Sequence, residues 1–321
     1  MSTPTLTRTS TRLTHRLLPP RPPYRCLSCS RLLAQQQQHQ HQQQPPKQDA
    51  QNPTTHFGFQ TVPSSSKQSR VASVFTSVAS SYDTMNDLMS LGTHRLWKDH
   101  FVRSIDPGIR DCAEGNGSGQ TILDIAGGTG DIAFRVLEHC TLVKNDHASK
   151  IIVSDINPDM LAEGKRRARE GGYGQSGRLS WLEANAEDLR AMPDNSVDLY
   201  TVAFGIRNFT SKPRALREAF RVLKPGGVFA CLEFSKLNSR LLEAVYKRWS
   251  FGAIPLIGQL VAGDRESYQY LVESIERFPG QEEWMGMIEE AGFLVPGVEE
   301  GKGWEDLMGG IACVHKGVKP L

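Results

Sequence analysis

The sequence predicts an α/β fold: a doubly wound, mostly parallel sheet with helices on both faces. Three observations carry this. Five short apolar runs, TILDIA (121–126), IIVSD (151–155), LSWLEA (179–184), VDLYTVAF (197–204) and GVFACLEF (227–234), alternate with stretches of helical periodicity. Strands that alternate with helices imply crossovers over both faces of one sheet. A glycine-rich break, AGGTGD, separates the first run from its helix, the position at which an open α/β sheet holds its ligand. Near the C-terminus, LVPGVEE (294–300) and GGIACVHKG (309–317) read as two more strands. The short connection between them leaves no room for a crossover helix, so this pair is expected to be antiparallel.

The chain begins with a segment of different character. Residues 1–48 hold six Arg, one Lys and no acid, with leucines spaced among the arginines. That composition suits a mitochondrial transit peptide, and the segment lacks the apolar core of a secretory signal. The tract AQQQQHQHQQQPPK that follows cannot bury enough apolar surface to offset its ordering entropy. Residues 1–65 are therefore assigned to a transit peptide and a disordered Gln-rich linker, and 66–321 to one folded domain. Removing residues 1–48 leaves 30 basic against 35 acidic side chains. Such a mildly acidic domain is a poor partner for nucleic acid. Cys26 and Cys29 form an isolated CxxC with no second pair, so no zinc site is expected. The most apolar stretch, FGAIPLIGQLVAG, is 13 residues long and contains Pro255, too short to cross a membrane.

From about residue 70, VASVFTSVASSYDTMNDLMS and HRLWKDHFVRSI place apolar residues at three- and four-residue spacing, so 66–110 is expected as a helical lid. After the fifth strand, residues 236–280 read as a helical insertion. EEWMGMIEEAGF is a helix that ends at Gly292.

Read from Gly128, the loop spells G-T-G-D-I-A, a formal match to the dinucleotide fingerprint. Gly127 and Gly128 permit close approach of a ligand to the backbone. Charge then argues against a diphosphate, which binds the bare amides of a helix N-terminus, because Asp131 occupies that first turn. S-adenosylmethionine has no phosphate and carries a sulfonium and an ammonium, so nearby acids favour it. Asp155, closing the second strand, suits the ribose hydroxyls of either cofactor. Asn185, Ala186 and Glu187 follow the third strand, where they could meet an adenine edge. Asn185 could equally serve only as a helix N-cap.

These strand-end positions resemble the class I S-adenosylmethionine-dependent methyltransferases, whose D-x-x-G-G-x-G motif stands here as DIAGGTG and whose turn into strand five stands as RVLKPGG (221–227). The resemblance implies a seven-stranded sheet whose last strand is antiparallel. It narrows with SYDTMNDLMSLGTHRLWK (81–98), LDIAGGTGDIAFR (123–135), FGIRN (204–208), RVLKPGGVFACLEFSK (221–236) and DRESYQYLVESI (264–275). In order, from about Val71 to the C-terminus, these resemble the ubiquinone/menaquinone biosynthesis C-methyltransferases. Departures are polar expansions near 110–120, 144–150 and 171–177, and Ala203 where some relatives carry a cofactor-facing serine.

The resemblance implies cofactor contacts at Thr129, Asp155, Asn185 and Ala186, with Gly127 and Gly128 beneath, and C-methylation of a polyprenyl methoxy-benzoquinol. No metal is needed, because the leaving group is a neutral thioether. Arg207 is assigned to stabilising phenolate character or orienting a water, since Arg stays protonated. Asn208 would hold a ring hydroxyl. Tyr82, Asp83, His94 and Tyr268 are lid or proton-relay candidates, each with packing or surface hydrogen bonding as the plainer role. The resemblance also implies other proteins of a ubiquinone-synthesis complex as partners, a homodimer among the admissible assemblies, and peripheral contact with the matrix side of the mitochondrial inner membrane; VYKRWSFGAIPLIGQLVAG has the composition of an interface-lying segment and is expected as an amphipathic lid over the quinol ring with membrane contact added. Three rival readings remain: an NAD(P)-dependent oxidoreductase, a methyltransferase for another small molecule, and a non-catalytic subunit of a quinone-synthesis complex.

Overall fold

The computed structural model of the chain describes residues 53–78, 86, 87, 90, 92–109, 119–262, 265–301 and 303–321. Five parallel strands form in the predicted places: β3 (Thr121–Ile125), β4 (Lys150–Asp155), β5 (Leu179–Glu183), β6 (Val197–Ala203) and β7 (Leu223–Phe234). With β8 (Trp304–Leu307) and β9 (Ala312–Val318) they make a seven-stranded sheet in the order β5-β4-β3-β6-β7-β9-β8. The first five pair in parallel, while β9 runs antiparallel to both β7 and β8. The order reverses between β3 and β4 on one side and β6 on the other, which opens a crevice above the carboxyl end of β3.

The strands alternate as a two-faced sheet requires. Ile122 joins a core with Trp97 and Phe101 of α2 (His94–Ile105) and Val136 of α3 (Asp131–Glu138). Leu123 and Ile125 face the other way, into a core with Leu216 of α5 (Lys212–Val222) and Trp284 and Ile288 of α9 (Gln281–Glu290). Each fully buried side chain of this kind is worth about 1.5–3 kcal/mol in apolar transfer. Between β4 and β5 runs α4 (Pro158–Glu170), capped by Asn157, whose Oδ1 accepts from the Asp159 amide at 2.9 Å, with Pro158 pre-set for the first turn. The insertion folds as α6 (Arg240–Arg248), α7 (Ile254–Ala262) and α8 (Arg265–Arg277).

Two expectations are corrected. LVPGVEE is not a strand. Leu294 makes a single bridge to Val318, and the chain then turns at Pro296 and Gly297, whose φ is +81°. Pro296 has no amide to donate to a ladder. The edge strand is instead Trp304–Leu307, whose polar sequence WEDL gives little sign of pairing. Residues 54–63, set aside with the linker, form a hairpin of β1 (Thr54–Phe57) and β2 (Gln60–Pro63) that leads directly into α1 (Ser64–Val78).

Candidate active site

Ala126, Gly127 and Gly128 carry the chain from β3 over the crevice. Gly128 has φ +46°, and a Cβ on it would lie 3.0 Å from Met160 Cε and 3.4 Å from Asp155 Oδ2, so glycine alone suits the turn. A Cβ on Gly127 would lie 2.7 Å from Asp124 Oδ2. The loop closes with the Gly130 amide on Gly127 O at 2.8 Å and delivers Asp131 to the first turn of α3.

A cavity lies over these strand ends. Ala126, Asp155, Asn185, Ala186 and Asn208 are among its lining residues, with Val71, Ala72 and Phe75 of α1 as its roof. The roof is tied down: Asn157 Nδ2 donates to Ala72 O at 3.2 Å and to Thr76 Oγ1 at 3.1 Å, and Thr76 Oγ1 donates to Asp159 Oδ2 at 3.0 Å. A recess on the loop side shares Ala126, Met160 and Phe204 with this cavity and adds Lys98, Asp124, Gly127, Gly128 and Thr129.

Asp155 accepts from the Asn157 amide at 2.9 Å, and burial pushes its carboxyl up to about 6. Asn185 caps a turn rather than a helix, its Oδ1 accepting from the Glu187 amide at 2.9 Å. Glu187 Oε1 in turn accepts from the Thr210 and Ser211 amides at 2.6 and 2.9 Å. That carboxylate ties the loop after β5 to the FGIRN loop after β6.

Asp131 does not confront the site as a bare charge. It pairs with Lys98 at 2.6 Å and also with Arg135, which hold it below the usual carboxylate range against the raising effect of burial. The acid that remains uncompensated is Asp124, which the sequence reading passed over although it opens the DIAGGTG motif. It is 1% exposed, and its Oδ1 accepts from Thr201 Oγ1 at 2.8 Å. Its Oδ2 has no hydrogen-bond partner, and burial raises its carboxyl to about 7. An unpaired, buried carboxylate oxygen beneath Gly127 is a ready acceptor for an ammonium.

The FGIRN loop splits its two candidates. Asn208 lines the cofactor cavity and accepts from Tyr270 Oη at 3.0 Å. Arg207 turns inward instead. Its guanidinium pairs with Glu233 Oε1 at 2.9 Å and donates to Phe204 O, its amide donates to Glu233 Oε2 at 3.3 Å, and its Nε has no partner. Arg207 and Glu233 side chains are 1% and 2% exposed. Glu233 is nonetheless raised, because burial outweighs the arginine.

The lid candidates fare differently. His94 is buried, with Nε2 2.8 Å from Asp87 Oδ1, and burial and then Lys98 lower its pKa, so it braces the start of α2. Tyr268 is fully buried and fills the space above Gly258, where a Cβ would lie 2.3 Å from Tyr268 Cγ, so it packs. Two residues further on, Tyr270 points to another side of α8 and meets Asn208 of the FGIRN loop. Tyr82 and Asp83 lie outside the described residues. Among the described residues no cluster of His, Cys, Asp or Glu could hold a metal ion.

The seven-stranded sheet with its antiparallel β9, the glycine turn with an acid beneath it, and the acid closing β4 define a class I S-adenosylmethionine-dependent methyltransferase. The chain belongs to the ubiE/COQ5 methyltransferase family, whose profile matches residues 63–319. It is 52% identical over 271 residues, 84% of this chain and 86% of the other, to the mitochondrial 2-methoxy-6-polyprenyl-1,4-benzoquinol methylase of Schizosaccharomyces pombe. The protein of that name from Oryza sativa is 49% identical over 275 residues, covering 83% and 88%. The ubiquinone/menaquinone biosynthesis C-methyltransferase of Roseobacter denitrificans is 46% identical over 271 residues, covering 84% and 99%.

One test of the cofactor cavity follows from Asp155. If its carboxylate accepts ribose hydroxyls, the ionised form is favoured, and cofactor binding should weaken as pH falls below about 6. Asp155→Asn should weaken S-adenosylmethionine binding about tenfold to a hundredfold and remove that part of the acid-side loss. Calorimetric titration across pH reads both effects.

Proposed function

We propose that this chain transfers a methyl group from S-adenosylmethionine to a ring carbon of a polyprenyl methoxy-benzoquinol, in ubiquinone synthesis at the matrix face of the mitochondrial inner membrane. The observation that carries the substrate assignment is the extent of the likeness to the benzoquinol methylases, which spans cofactor loop, FGIRN loop and insertion alike. When bound, S-adenosylmethionine supplies an electrophilic methyl on a sulfonium.

The protein's share is alignment, exclusion of water and a push of electron density into the ring. Asp155 accepts the ribose hydroxyls, Asp124 takes the ammonium, and Asn185 and Ala186 flank the adenine, with Thr129 at the loop. The α1 roof keeps bulk water out. Asn208, steadied by Tyr270, orients a ring hydroxyl. Arg207 contributes fixed positive charge next to the site, which favours anionic character on the ring oxygen without removing a proton itself. Bound there, S-adenosylmethionine would give its methyl to the ring carbon and leave as a neutral thioether, and the ring-carbon proton would pass to solvent. Tyr82 and Asp83 remain assigned to the lid. The amphipathic 245–263 segment would meet the membrane, and partner proteins of a quinone-synthesis complex and a second copy of the chain are further proposed contacts.

The test is direct. Incubation with methyl-labelled S-adenosylmethionine and a short-chain methoxy-benzoquinol should give one product with a new carbon-bound methyl, identified by NMR. Methylation at oxygen, or none, would overturn the assignment.

A further inference from the structure

A second cavity of about 370 Å³ lies among the β1–β2 hairpin, the start of α5 and α8. Its lining shares Thr210 alone with that of the cofactor cavity. Lys67, Lys212, Arg277 and His56 line it against a single lining carboxylate, Glu283; Arg207 also borders it, with its charge already paired to Glu233. Lys67 is only 5% exposed and donates to Phe209 O at 2.9 Å, its one hydrogen bond among the described residues, out of the three an ammonium can give. Lys212 Nζ sits 5.8 Å from the Phe278 ring centroid and makes no ion pair among the described residues. These cations oppose one another. Burial and then Lys212 bring Lys67 down to about 8 against the raising effect of Glu187, burial lowers Lys212 against Glu233 and Glu187, and His56 is lowered by burial and then by Arg277, Lys67 and Lys212. Holding several partly desolvated cations round one space is unfavourable unless an anion enters it.

An exposed aromatic pair beside Arg277 shows what kind of anion. Phe59, at the hairpin tip, is 48% exposed and stacks at 5.9 Å on Phe251 of the insertion, itself 39% exposed. Arg277 lies 5.7 Å over the Phe59 ring, so one guanidinium belongs both to the cavity wall and to the exposed aromatic pair. A soluble oxyanion needs the cations but has no use for the rings. A phospholipid uses both, because aromatic rings settle at the headgroup level of a bilayer while Lys and Arg take its phosphates.

We propose that this cavity binds the phosphate of an anionic phospholipid headgroup, with Phe59 and Phe251 set into the interface beside it. The proposal deepens the membrane-contact reading above by naming the group recognised and the residues that recognise it. Lys67 and Lys212 supply ammonium donors and Arg277 a planar fork for the phosphate oxygens.

The experiment is flotation of the full chain with phosphatidylcholine vesicles, with and without phosphatidylglycerol. Binding should require phosphatidylglycerol and weaken as salt is raised. Lys212→Met and Arg277→Met should each weaken it about fivefold. Phe59→Ser, at an exposed tip where folding is not at stake, should weaken it as well. The arginines of the leader contribute equally to every variant, so differences between variants report on the cavity. S-adenosylmethionine affinity and methyl transfer to a water-soluble short-chain quinol should be unchanged in all three. Equal vesicle binding by all variants would overturn the proposal. So would calorimetric binding of inorganic phosphate that depends on Lys212 while vesicle binding does not. Vesicle binding that falls in the variants, in a protein that fails to methylate the quinol, would support the lipid site and strike only the catalytic reading.

Discussion

Arg207→Ala is expected to lower the free energy of unfolding by about 3–5 kcal/mol and to abolish quinol methylation, with S-adenosylmethionine still bound by the folded fraction. The size comes from what is left behind. Glu233 is buried and relies on Arg207 Nη1 at 2.9 Å and the Phe234 amide at 2.9 Å to hold its charge. Without the guanidinium that charge stays in the core uncompensated, and the carboxyl, already raised by burial, rises further. A carboxyl raised in the folded state contributes stability at low pH and loses it as pH climbs through the folded value. The defect should therefore grow as pH rises through the folded value of the Glu233 carboxyl and shrink below it, where Glu233 takes a proton and no buried charge remains. Urea unfolding across a pH series reads this. The double substitution Arg207→Met, Glu233→Leu should recover most of the stability and none of the turnover, because apolar replacement of a whole buried pair is often neutral or better. Recovered turnover would remove Arg207 from the chemistry and leave it a structural residue.

That pairing was not legible in the sequence, and the reason is physical. FGIRN and LEF lie on adjacent strand ends, 26 residues apart, and only the β6–β7 register brings Arg207 to Glu233. The parallel strands were legible because their apolar runs are buried on both faces and bounded by glycine, proline and aspartate. The edge strand Trp304–Leu307 was not, since an edge needs one partner and its outer side can be polar. In the same way Asp155 and Asn185 could be picked out because strand ends in this kind of sheet face the ligand. Tyr270 gave no such signal, because a helix turns about 100° per residue and the packing that sets Tyr268 in the core and Tyr270 against Asn208 is tertiary. Asp131 misled most. Its position at a helix start was read correctly, but Lys98, 33 residues earlier, neutralises it across the fold.

Asp124→Asn should weaken S-adenosylmethionine binding about a hundredfold while making the unliganded protein more stable above about pH 7. Both effects have one origin. The Asp124 carboxyl is raised to about 7 by burial, then by the charges of Asp131 and Asp155, against the lowering effect of Thr201. A carboxyl near 3.8 in the unfolded chain and about 7 in the fold leaves stability intact below the first value and removes it progressively up to the second. By about pH 8 the cost is on the order of 4 kcal/mol, at about 1.4 kcal/mol per pKa unit. Asparagine has the same shape and no charge, so the variant should escape this loss. An ammonium placed against Asp124 Oδ2 would relieve the same loss in the native protein, and S-adenosylmethionine should therefore stabilise wild type more at about pH 8 than at about pH 6. Thermal unfolding across pH, with and without cofactor, separates the cases. If wild type and variant lost stability in parallel as pH rose, Asp124 would not be the buried charge that the site stores for its ligand.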